Sequence, residues 1–160
     1  MENKFGTEKT ELVFRKYADM IYRVALHRLN SPEDAEDVLQ EVCLALMTKN
    51  PPEEEEHLKR WLIRVTLNKC SNLRRSFWRR KRESLDDYTH LEAAPAPTLP
   101  PELFELPENY RTVIYLYYFE DYTVPEIAAI LKKNENTVKS SLQRARKRLK
   151  KLLTEEGDER

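Results

Sequence analysis

The chain has 160 residues, and its 28 basic and 28 acidic side chains give a formal net charge of zero. That length holds one domain or two small ones, and a neutral total by itself says nothing about a polyanionic partner. The only two glycines, Gly6 and Gly157, lie near the ends, which excludes the phosphate loops, dinucleotide fingerprints and nucleophile elbows that need interior glycine.

Scarce glycine beside abundant Leu, Glu, Lys and Arg predicts an all-α protein. The first helix reads from Glu11 to Leu29, with Leu12, Phe14, Tyr17, Ile21, Val24 and Leu29 as a broad apolar face. In "NSPEDAEDVLQEVCLALM", Ser31 is an N-cap and Pro32 suits the first helical position. Glu33 and Asp34 complement the helix dipole, and Val38, Val42, Ala45 and Leu46 form the buried stripe. Pro51 and Pro52 end this helix. The next begins near Glu53 and runs to about Arg80, with Leu58, Leu62, Val65 and Leu73 on its apolar side. Residues 84–101, "SLDDYTHLEAAPAPTLPP", carry four prolines and no apolar period, the pattern of a semi-rigid linker. Stretched out, about 18 residues at ~3.3 Å each reach roughly 60 Å, nearly two turns of B-DNA at ~34 Å per turn. A helix over Pro107–Phe119 follows, with Val113, Ile114, Tyr117 and Tyr118 as its apolar residues. Thr123 and Glu126 then make a capping box, and Ile127, Ala128 and Leu131 are spaced for burial. The last helix opens at Asn134 and closes on Lys150 and Lys151; Val138, Leu142, Ala145, Leu149 and Leu152 form its stripe. The expected architecture is two small helical domains joined by a flexible Pro-rich linker, over residues 8–83, 84–101 and 102–154, the second a helix-turn-helix.

The neutral total hides alternating blocks. Residues 33–56 are acidic apart from Lys49, and 59–82 are basic without exception. Residues 83–108 carry only acidic charges, and 132–151 are basic apart from Glu135. Two basic blocks point to two contacts with a polyanion. Cys43 and Cys70 are unpaired in sequence, and Cys43, among Val42, Leu44 and Leu46, reads as a core thiol. His27, His57 and His90 have no useful metal spacing, so no metal and no cofactor is expected. The apolar runs are too short for a bilayer and "MENKFGTEKTE" is no signal peptide, so a cytoplasmic location without membrane insertion is expected.

Two short helices joined by about three residues, the second basic, have the form of a helix-turn-helix. Small Ala128 and Ala129 let the pair pack closely. Lys139 and Arg144 can reach guanine edges or phosphates, and Ser140 and Gln143 can make shorter polar contacts. The competing reading is a plain helical hairpin with a solvated basic face. Upstream, Trp61, Phe77 and Trp78 interleave with arginines, a pattern suited to stacking unpaired bases, although Trp61 fits a core position equally well. The acidic face of Asp34, Glu36, Asp37 and Glu41 is either solvated or docks on a basic protein groove. A stand-alone helix-turn-helix regulator explains the C-terminal module alone. An enzyme has neither phosphate loop, metal cluster nor triad to work with.

In order, "DAEDVLQEVCLALM", "HLKRWLIRVTLNKCSNLRR" and "LPENYRTVIYLYYFEDYTVPEIAAILKKNENTVKSSLQRARKRLKKL" resemble region two and region four of bacterial RNA polymerase sigma factors of the extracytoplasmic-function (ECF) type. The resemblance spans about Glu11 to Leu153. It implies a dissociable, non-enzymatic subunit that binds core RNA polymerase and promoter DNA, and an anti-sigma factor that clamps both modules. By the resemblance, Asp34, Asp37, Gln40 and Glu41 dock on the polymerase clamp helices. Trp61, Asn68, Lys69, Ser71, Asn72, Arg74 and Arg75 serve melting and capture of the −10 element. Thr137, Lys139, Ser140, Gln143 and Arg144 read the −35 element. Ser141 stands where the family usually has arginine, and Asn136 where glycine is common. The first removes a phosphate contact; the second is tolerated near a helix start.

Overall fold

A computed structural model describes residues 6–83 and 101–158, with side chains described for 6–73 and 101–154. Among the described residues the secondary structure is helical throughout. The chain divides into two compact units, Met1–Ala96 and Pro97–Arg160. Residues 84–100 of the expected linker lie outside the described residues; Pro101 opens a short 3-10 helix.

In the first unit, α1 (Gly6–Leu29), α2 (Pro32–Thr48) and α3 (Glu55–Glu83) pack on one another pairwise. α1 starts a full turn earlier than the sequence pattern indicates, with Thr10 Oγ1 donating to the Gly6 carbonyl at 2.8 Å. Its face matches the expected one at Tyr17, Ile21 and Val24, which are buried, and departs from it elsewhere. Leu12 is 68% exposed and Phe14 and Leu29 are half-buried, while Met20, Ile21, Val24, Ala25 and Leu26 enter the core. The chain leaves α1 through Asn30 in the left-handed region (φ 52°), a conformation its short polar side chain tolerates. Ser31 then caps α2, its Oγ accepting from the Asp34 backbone N–H at 3.3 Å, with Pro32 in the first turn. Val38, Val42, Ala45 and Leu46 are buried as expected. Cys43 is not a core thiol: Leu44 beside it is exposed, Cys43 is half-buried, and Cys70 of α3 is the fully buried cysteine. On α3, Val65 and Leu73 are only half-buried; Leu58, Leu62, Ile63, Leu67 and Cys70 line the core. The buried residues of α3 spread over a wider arc than one stripe.

In the second unit, the 3-10 helix Pro101–Glu105, which the sequence pattern did not reveal, precedes α4 (Glu108–Tyr118), α5 (Val124–Leu131) and α6 (Glu135–Asp158). Arg111 of α4 is buried against it, donating from Nη1 to the Phe104 carbonyl at 3.3 Å and lying 5.5 Å from the Phe104 ring. The core of α4 is Val113, Ile114, Tyr115 and Leu116. Tyr117 and Tyr118, expected among the apolar residues, are half-buried and exposed respectively. The capping box at α5 is present: Thr123 Oγ1 accepts from the Glu126 N–H, and Glu126 Oε1 accepts from the Thr123 N–H. Ile127, Ala128 and Ile130 are buried, whereas Leu131 is half-buried and Ala129 faces solvent. Close approach of α5 therefore uses Ala128 alone. On α6, Val138, Leu142 and Ala145 are buried and Leu149 and Leu152 half-buried. The helix runs on past Lys151 to Asp158, so those lysines do not occupy its last turn.

Candidate nucleic-acid and polymerase interfaces

In the second unit, backbone geometry positions α6, the candidate DNA-contact helix. Lys132, in the left-handed region (φ 54°, ψ 48°), ends α5, its N–H donating to the Ala128 carbonyl. The Lys133 N–H donates to the same carbonyl at 2.9 Å. Asn134 then turns the chain into α6, its Oδ1 accepting from the Asn136 N–H at 2.7 Å. Asn136 has no positive φ, so nothing at this turn requires glycine. α6 packs its stripe on α4 and α5, which leaves Thr137, Lys139, Ser140, Gln143 and Arg144 exposed together. The spacing places them on the side of the helix away from Val138, Leu142 and Ala145. Lys139 and Arg144 are both exposed, with their charges facing solvent. Ser141 is half-buried at the margin of the stripe.

α6 also carries two arginines that the sequence pattern did not single out. Arg146 Nε donates to Tyr118 Oη at 2.6 Å, and its guanidinium lies 5.2 Å from the Tyr117 ring and 5.5 Å from that of Tyr118. The hydrogen bond to Tyr118 pushes the Arg146 pKa further up. Arg148 lies 5.4 Å from the ring of Tyr110.

In the first unit, the expected −10 residues divide. Trp61, Asn68 and Asn72 of α3, with Arg64, recur at gaps of three and four and share one face; Ser71 lies beside them. Asn68 and Asn72 are exposed, and Trp61, Arg64 and Ser71 half-buried. Trp61 is thus neither a core side chain nor a free ring; one part is packed and another faces water. Lys69 points elsewhere, toward α2, where its Nζ lies 3.7 Å from Glu41. Arg74 and Arg75 fall within α3, but their side chains, like those of Phe77 and Trp78, lie outside the described residues.

On α2, Asp37, Gln40 and Glu41 are exposed on one face and Asp34 is half-buried at its N-terminal end. Burial pushes the Asp34 carboxyl above its usual range; the hydrogen bond with Ser31 pulls it down, and Glu33 pushes it up again. Leu44 and Met47, one and two turns further along, are 52% and 48% exposed and give the acidic face an apolar end. No helix among the described residues is long and apolar enough to cross a membrane.

Comparison with known proteins matches both units. A family model of sigma-70 region 2 matches residues 13–81, and one of sigma-70 region 4 matches residues 103–149. RNA polymerase sigma factor SigV of Bacillus subtilis is 32% identical over 146 residues, covering 84% of this chain and 85% of SigV. The chain belongs to the sigma-70 family of RNA polymerase sigma factors, ECF type. ECF RNA polymerase sigma factor SigM of B. subtilis is 28% identical over 152 residues, covering 88% of this chain and 92% of SigM. In fold, the chain is similar to the sigma factor RpoE of Bartonella quintana, solved in complex with the anti-sigma factor NepR. That likeness has a TM-score of 0.68 at 22% identity and covers 92% of this chain and 98% of RpoE. As an ECF sigma factor the protein acts with core RNA polymerase in promoter-specific transcription initiation and is not an enzyme.

Proposed function

We propose that this sigma factor reads a −35 duplex with α6 and captures melted −10 DNA with α3 while α2 holds core polymerase. The domain division is residues 8–83 for polymerase and −10 binding and 102–154 for −35 binding, with 84–101 as the tether. The observation that carries the reading is the common exposure of Thr137, Lys139, Ser140, Gln143 and Arg144 on the second helix of a capped helix-turn-helix. A helix so placed enters the major groove by its N-terminal residues. Arg144 and Lys139 suit guanine O6 and N7 or phosphate oxygens, and Ser140, Gln143 and Thr137 the shorter polar contacts.

On α3, the exposed part of the Trp61 ring offers a face for stacking, and Asn68, Ser71 and Asn72 offer donors and acceptors to the edge of an unstacked base. Opening costs a few kcal/mol per flipped base, and each captured base offsets part of it. Arg74 and Arg75 follow the backbone. Lys69 has an intramolecular partner in Glu41; a basic polymerase groove that takes Glu41 releases Lys69 toward DNA. Asp34, Asp37, Gln40 and Glu41 form the polymerase contact, extended by Leu44 and Met47. The cell location is the cytoplasm, where polymerase acts, and an anti-sigma factor restrains the protein by covering its binding faces; the similar RpoE was solved in complex with an anti-sigma factor, NepR.

Footprinting of the reconstituted holoenzyme tests this division. Lys139→Ala with Arg144→Ala is expected to remove upstream protection. Trp61→Ala with Asn68→Ala is expected to keep upstream protection and lose permanganate reactivity of unpaired thymines. Variants that lose the opposite signals contradict the assignment.

A further inference from the structure

Two arginines of α6 lie beside its proposed DNA-contact row and are engaged by tyrosines of α4, and their placement has a consequence for specificity. Arg146 and Arg148 are two residues apart, roughly 200° around the helix at ~100° per residue. They therefore flank the buried stripe of Val138, Leu142 and Ala145, one on each side. Each sits on a tyrosine of α4. Arg146 donates to Tyr118 Oη at 2.6 Å and lies 5.2 Å from the Tyr117 ring, at the end of α4. Arg148 lies 5.4 Å from Tyr110, in the first turn of α4. The anchors on α6 are only ~3 Å apart along its axis, while Tyr110 and Tyr117 are ~10 Å apart along theirs. Two contacts on opposite flanks, spread along the supporting helix, resist both rolling of α6 and swinging of its axis. The buried stripe sets which face of α6 is packed, and the two flanking contacts add directional restraint to it.

We propose that Arg146 and Arg148 are positioning residues for −35 reading, two flanking arms that fix the roll of α6 so that Thr137, Ser140, Gln143 and Arg144 meet base edges in register. A roll of ~20° moves a side chain at ~5–6 Å radius by ~2 Å, and a hydrogen bond tolerates only a few tenths of an ångström. Lysine does not replace arginine here, because the planar guanidinium supplies the ring contact. The inference rests on α6 being the −35 reader.

The test uses holoenzyme reconstituted from core polymerase and the full chain, with promoter duplexes randomised at the −35 position, at several salt concentrations. The variants are Arg146→Ala, Arg146→Lys, Tyr118→Phe and, as a control for the reader itself, Arg144→Ala. The expected result is an approximately tenfold fall in preference for the best −35 sequence over scrambled ones in both Arg146 variants. The slope of binding against salt is expected to stay unchanged. Tyr118→Phe keeps the ring, loses only the hydrogen bond, and is expected to show a smaller fall of the same kind; it decides the matter should Arg146→Ala fail to fold. The proposal is overturned if Arg146→Ala weakens all sequences alike and reduces the salt slope by ~0.9, with Lys restoring both, the signature of a phosphate contact. It is equally overturned if the Arg146 variants leave the preference unchanged while Arg144→Ala alters it. An unchanged preference in Arg144→Ala as well refutes the −35 reading itself.

Discussion

Replacing Thr123 by alanine tests how α5, the helix that packs beneath α6, is held in place. α5 has eight residues, well below the ~12–15 at which an isolated helix becomes even marginally stable in water. It persists through its cap and through burial of Ile127, Ala128 and Ile130. Thr123 Oγ1 accepts from the Glu126 N–H at 3.3 Å and donates to Glu126 Oε1 at 2.9 Å. Alanine removes both bonds and leaves the one from the Thr123 N–H to Glu126 Oε1, 3.0 Å in the wild type. N-cap replacements by alanine cost ~0.5–2 kcal/mol. The cap is exposed and one of its bonds is long, which places this one at about 1 kcal/mol. In a unit of this size that lowers the thermal midpoint by ~4–8 °C. The assay is thermal unfolding followed by far-ultraviolet circular dichroism, with Thr123→Ser as the control that keeps the oxygen. A wild-type midpoint for Thr123→Ala, or an equal loss in Thr123→Ser, refutes the capping argument.

Other outcomes follow from the same geometry. Lys139→Ala and Arg144→Ala are each expected to cost ~1–3 kcal/mol at specific promoters, read as reduced run-off transcription with unchanged co-elution on core polymerase. Lys132→Gly is expected to stabilise the second unit by ~0.5–1 kcal/mol, since glycine adopts the left-handed conformation without the ~1–2 kcal/mol that a Cβ costs there; a thermal midpoint at or below wild type counts against it. Burial raises the Cys43 thiol pKa, so less of it is thiolate at any given pH. Alkylation of the native protein at pH 8 is therefore expected to be slower at Cys43 than in a free thiol control, and slower still at fully buried Cys70; peptide mass mapping over time distinguishes the order.

Helix starts were legible wherever a cap announced them. Ser31 with Pro32, Thr123 with Glu126, and Asn134 each mark an observed boundary. Faces were legible where one helix meets its neighbours along a single stripe, as in Val38, Val42, Ala45 and Leu46 or Val138, Leu142 and Ala145. They were less legible on α1 and α3, whose buried residues spread over a wider arc than one stripe. Periodicity therefore put Leu12 and Val65 inside and did not place Met20, Ile63 and Cys70 there. The 3-10 helix Pro101–Glu105 carries no apolar period to detect. Of the candidate site, the exposed row on α6 follows from helical spacing, while the grouping of Asn68 and Asn72 with Trp61 comes from the family resemblance. The pairing of Lys69 with Glu41 and the seat of Arg146 on Tyr117 and Tyr118 join residues 28 or 29 apart in the chain, and such tertiary contacts leave no local pattern. Tyr118 reads as apolar in sequence, yet its hydroxyl is what binds the arginine.

The most direct test of the central claim is transcription in vitro with bacterial core polymerase and a promoter library, with and without this chain. The account predicts promoter-specific transcripts that depend on the chain, sharing one upstream and one downstream element, with the upstream preference changed by Arg144→Ala. Transcripts that share no upstream element, or whose upstream preference is indifferent to every substitution on the exposed face of α6, would contradict it.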